Sequence, residues 1–71
     1  MNFGEALELL KHGGIVSRKG WNGKGMYVCL IPATEELNSH FIIKNVNGTK
    51  STWVPSVNDC LAEDWQEGEN S

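Results

Sequence analysis

Two runs rich in β-branched and aromatic residues meet at an Asn-Gly dipeptide, and nothing else in this chain limits its fold so sharply. Phe41-Ile42-Ile43-Lys44-Asn45-Val46 precedes Asn47-Gly48, and Thr49 to Val54 follows. Asn-Gly supplies the two positive-φ positions of a type I′ turn, so the pattern predicts a β-hairpin. The flanking segments read as its partners. Asn2 is placed to cap a helix with Glu5 in capping-box position, and Phe3, Ala6, Leu7 and Leu10 form one apolar stripe. Gly13-Gly14 ends that helix, Ile15 to Arg18 reads as a strand, and Lys19 to Gly25 as a glycine-rich loop. Met26 to Ile31 is a second strand stopped by Pro32, and Ala33 to His40 is a polar loop.

After the hairpin, Pro55-Ser56 opens a second short helix with Ser56 as N-cap, Asp59 at N3, and Val57, Cys60 and Leu61 turned inward. Asp64-Trp65-Gln66 is a last short strand, with Trp65 plugging the core, and Glu67 to Ser71 a frayed tail. The fold class expected is therefore α+β: one domain over residues 1–71, a small antiparallel β-sheet with an N-terminal helix and a short helix near the C-terminus. Such a sheet has open edges and one incompletely covered face, which favours pairing between protomers.

Size strengthens that expectation. For 71 residues, apolar burial and the ordering of the chain are each worth about 100 kcal/mol and nearly cancel, so a lone protomer is marginal. Short chains usually add a disulfide framework, a metal or partner subunits. A zinc site would need Cys29, Cys60, His12 and His40 together at spacings unlike those of zinc fingers or ribbons, so no metal or cofactor is expected. The start carries no signal peptide, which points to a reduced, cytoplasmic setting, and no apolar run is long enough for a membrane span. One long-range disulfide between Cys29 and Cys60 stays formally open, and self-association is the leading route to a complete core.

The net charge of −3 argues against a DNA- or RNA-binding protein. Yet Arg18, Lys19 and Lys24 fall within seven positions, and five of the nine acids lie in the last thirteen. The loop Arg18-Lys19-Gly20-Trp21-Asn22-Gly23-Lys24-Gly25 combines glycines for close backbone approach, cations for phosphate and a flat indole, which suits a nucleotide. Its spacing is not that of a Walker A loop. By spacing alone, a turn with solvated lysines and a Trp lying on the sheet is the plainer reading.

Trp53, just before Pro55, fits core, interface or pocket wall. Asn22, Asn58, Ser56 and Thr52 can hydrogen-bond a sugar or base, although turns and caps account for Asn22 and Ser56 as well. Catalytic groupings are scarce. His12 suits a helix C-terminus, His40 a polar loop, and Cys29 and Cys60 small core positions. No Ser, Cys or Thr nucleophile has an identifiable base nearby, so the residues point to binding and not to an enzyme.

Three blocks, Met1-Asn2-Phe3-Gly4-Glu5-Ala6-Leu7, Arg18 to Tyr27, and Trp53-Val54-Pro55-Ser56 through Asp59-Cys60-Leu61-Ala62-Glu63-Asp64-Trp65, resemble the Thoeris anti-defence two-like family of small phage and prophage proteins. The resemblance spans nearly the whole chain in the family's order. It implies a protein that sequesters cyclic nucleotide immune messengers, notably glycocyclic ADP-ribose made by Thoeris TIR proteins, without cleaving them. Some members are reported to hold cyclic dinucleotides at separate sites. It also implies a homotetramer with ligand pockets at protomer interfaces, working in the cytoplasm of the infected bacterium. Trp21 and Trp53 match the family's ligand-packing tryptophans, while Arg18, Asn22, Lys24, Ser56 and Asp59 match further motif positions. The segment Pro32 to His40 is shorter than in many relatives, where it helps wall the pocket. The rival reading is a protein that inhibits a host enzyme directly through its sheet face.

Overall fold

The computed structural model describes all residues from Met1 to Ser71. Helix α1 (Phe3–Lys11) begins as expected: the Asn2 side chain accepts from the Glu5 N–H at 2.9 Å and the Glu5 carboxylate accepts from the Asn2 N–H at 3.0 Å. It ends in a Schellman arrangement, with the Gly14 N–H donating to the Leu9 carbonyl at 2.9 Å and the Gly13 N–H to Leu10 at 3.1 Å. His12 is the C-cap, and its Nδ1 donates to the Glu8 carbonyl at 2.7 Å.

Strands β1 (Ile15–Arg18), β2 (Tyr27–Ile31), β3 (His40–Lys44), β4 (Lys50–Trp53) and β5 (Trp65–Glu67) form one antiparallel sheet in the order β4-β3-β2-β1-β5. Helix α2 (Val57–Leu61) connects the two edge strands. Expectation and structure agree on this α+β architecture. His40, expected in the loop, instead opens β3 opposite Ile31.

Register assigns the two faces. Val16 pairs with Val28, Val28 with Ile43, Leu30 with Phe41, and Phe41 with Trp53, so these side chains share the face on which α1 lies. Ala6 and Leu10 meet Val16, Val28 and Trp65 there, and these five residues are the buried apolar core. Helix α1 covers β1, β5 and β2. Toward β3 and β4 the cover is aromatic instead, from Phe3, Phe41 and Trp53. The opposite face, carrying Ile15, Tyr27, Cys29, Ile31 and Ile42, has no layer over it and those residues stay half-buried.

Four expectations are corrected. The hairpin is not closed by a type I′ turn, because only Gly48 has positive φ (+87°). The Gly48 N–H donates to the Asn45 carbonyl at 3.0 Å and the Asn45 N–H to Thr49 at 2.8 Å, which is a three-residue loop with a left-handed glycine bulge. Helix α2 is turned the other way: Val57 and Leu61, four residues apart on one face, are exposed (74% and 75%), and Cys60 is exposed too. Asp59 faces inward in their place, because its carboxylate serves Arg18 and Ser56 while its carbonyl accepts the Trp65 indole N–H at 2.9 Å. Cys29 lies half-buried on the uncovered face, so neither cysteine belongs to the core. The C-terminal segment is not loose either: Glu67 belongs to β5 and Asn70 is buried.

Candidate functional site

The residues singled out from sequence gather at one end of the helix-covered face, around a cluster of rings. Trp65 lies at its base, fully buried, with Phe3 at 5.3 Å and Trp21 at 5.5 Å between centroids. Trp53 packs edge-on against Trp65 at 6.1 Å, Trp21 at 6.4 Å and Phe41 at 5.9 Å. Edge-to-face packing at these separations is the favoured arrangement for aromatic rings. Trp21 and Trp53, 53 and 21 being far apart in sequence, are thus neighbours, and both stay partly open to solvent.

Beside the rings Arg18 bridges two carboxylates. Its Nη1 meets Asp59 Oδ1 at 2.9 Å and its Nε meets Asp64 Oδ1 at 2.8 Å, with all three side chains largely withdrawn from water. The second oxygen of Asp59 accepts from the Ser56 N–H at 3.1 Å and hydroxyl at 2.9 Å, and that of Asp64 accepts from the Gly20 N–H at 2.8 Å. For Asp59, burial pushes the carboxyl up, but hydrogen bonds from Ser56 and Arg18, with a smaller contribution from the Trp21 side chain, win and hold it below the usual range. Asp64 is held low chiefly by its hydrogen bond from Arg18, against a burial penalty and with help from Gly20. Arg18 is raised in turn, by Asp64 first and Asp59 second.

The glycine-rich loop is therefore fastened at its entry by Asp64. Within it Gly23 has φ +143°, and a Cβ there would collide with Val46 Cγ2, so the hairpin tip also leans on the loop. Asn22 and Lys24 project from it, exposed. The structure thus brings Arg18, Trp21, Trp53, Ser56 and Asp59 together, with Asn22 and Lys24 outward on the adjoining loop. Arg18, Ser56 and Asp59 satisfy one another within the protomer. Sequence reasoning missed Asp64 and Asn70 as partners of the loop, since pairs about 45 to 50 positions apart leave no local pattern.

A profile of the Thoeris anti-defense 2-like domain matches residues 1–67, which covers every element described above. The chain belongs to this family. Among curated relatives, a protein of Bacillus phage SP01 named "Thoeris anti-defense 2" is 42% identical over 82 aligned residues, covering 92% of this chain and 91% of the relative. The aligned stretch is longer than the chain itself, so the anti-defense relative carries residues that this family member lacks. Within the Thoeris anti-defense 2-like domain, the Arg18 triad and the ring cluster occupy the matched region, whereas Asn70 lies just beyond it.

Proposed function

We propose that this chain is an anti-defence protein that captures a cyclic nucleotide messenger of the glycocyclic ADP-ribose kind and holds it intact. The observation that carries the reading is the pairing of Trp21 and Trp53, two partly buried indoles 6.4 Å apart at the edge of a glycine-rich loop bearing Lys19 and Lys24. Indole faces suit a base or ribose, and the lysines suit phosphates. The Thoeris anti-defense name of the relative supplies the biological setting.

Capture without cleavage is supported by the acids of the site. Asp59 and Asp64 are held ionised by Arg18, and carboxylates with lowered pKa are weak general bases at neutral pH. Neither histidine stands among the rings: His12 caps α1 and His40 begins β3. The single protomer presents an open wall of edge-packed rings, so in this reading a second protomer completes the site within a homotetramer.

The test is to incubate the purified protein with glycocyclic ADP-ribose, remove the protein by filtration and assay the filtrate. The messenger should vanish from the filtrate and return chemically unchanged after the protein is heated; full recovery before heating, or an altered product after it, defeats the reading. Trp21→Ala should weaken capture at least tenfold, with a stability loss as well because Trp21 rests on Trp65. A second reading, direct inhibition of a host enzyme, is favoured by the exposed Val54, Val57 and Leu61 beside the site. A stoichiometric host protein and no nucleotide on the purified complex would select it.

A further inference from the structure

We propose that Asn70 is the positioning residue of the Trp21 loop, a clamp that holds the loop in its ligand-ready shape. Its side-chain amide donates both hydrogens into the loop, to the Trp21 carbonyl and the Gly23 carbonyl, each at 2.8 Å. Carbonyls only accept, so the amide nitrogen and not its oxygen faces the loop. The main chain adds two bonds at the loop exit, from the Gly25 N–H to the Asn70 carbonyl at 2.6 Å and from the Asn70 N–H to the Met26 carbonyl at 2.8 Å. One residue, 5% exposed, thereby ties down positions 21, 23, 25 and 26. Asp64 fixes the other end through the Gly20 N–H.

Gly20, Gly23 and Gly25 make this loop intrinsically loose, since glycine gives up more backbone freedom on ordering than any other residue. Without the clamp, only a fraction of molecules would present Trp21 beside Trp53, and apparent affinity falls by that fraction. The Asn70 side chain touches the loop by its carbonyls alone, so its action on a ligand runs through the loop. This inference rests on the proposed role of Trp21 in ligand capture, but the clamp itself can be read without any ligand.

The test uses the 71-residue chain with Asn70→Asp, which keeps the shape and removes both donors, and Asn70→Ser, which keeps one. Amide hydrogen exchange should accelerate about tenfold at the hydrogen-bonded amides of Trp21 and Gly25 in the Asp variant and by less in the Ser variant, while Val28 and Ile43 in the central strands are unchanged. With glycocyclic ADP-ribose as probe, the association rate should fall in the same order, about tenfold for Asp, at constant dissociation rate. Unchanged loop exchange in both variants overturns the clamp, as does a loosened loop with unaltered probe affinity. Should the unmodified protein fail to bind the probe, the proposed function falls, and the exchange measurement alone decides the clamp.

Discussion

Arg18 is the residue on which two distant parts of the chain converge, and its removal has a calculable sign. Asp59 and Asp64 have folded-state pKa values below their unfolded ones, so they contribute stability above the unfolded carboxylate range near pH 4, and this is lost as pH falls through the lowered values. Arg18, raised, keeps its charge and its contribution at any working pH. Arg18→Ala leaves Asp59 withdrawn from water without its cation, at a cost of about 2 kcal/mol at pH 7. Urea unfolding should show that loss at pH 7, and the gap should shrink as pH falls below the unfolded carboxylate range and through the lowered folded-state values. A gap that stays constant across this range would mean that Arg18 acts through packing. At this scale Trp21, Trp53 and Arg18 were visible in the sequence as chemistry, but Arg18 looked like a phosphate ligand because neither Asp59 nor Asp64 announces its partner from 41 and 46 positions away.

Helices, strands and caps were more legible than contacts, since each rests on neighbours within four residues. The Asn2–Glu5 capping box, the Ser56 N-cap, the stop at Gly13-Gly14, the strand ended by Pro32 and the hairpin are local patterns and formed as read. The turn type and the facing of α2 were not local. In the hairpin the bulged loop needs one left-handed residue, and Gly48 supplies it with no atom within 4 Å of where a Cβ would stand. Gly48→Ala should therefore cost about 1 kcal/mol through backbone strain alone, visible as a lower thermal midpoint without a change in the far-UV spectrum. An equal or higher midpoint would show that Gly48 is not held left-handed in solution. For α2, five residues are too few for a hydrophobic stripe to decide orientation, and the fixed position of Arg18 decides it instead.

The whole molecule is compact, with a radius of gyration of 11.7 Å, yet only 8 of its 71 residues are buried, and one sheet face is left without cover apart from the tail over Ser17. Burial that slight is what makes association the expected state: sedimentation should return a multiple of the 7.9 kDa protomer, most simply four. Ile42→Lys, in the middle of the open face, should lower that multiple while leaving the secondary structure intact. A monomer that still captures messenger would refute a pocket built between copies. The tie between Asn70 and the Trp21 loop, which spans 49 positions, also sets an order of events in time. On the ribosome the loop is made before its fastening, so a chain that has grown only to Glu67 carries every ring of the aromatic wall without the Asn70 bonds that tie down the Trp21 and Gly23 carbonyls.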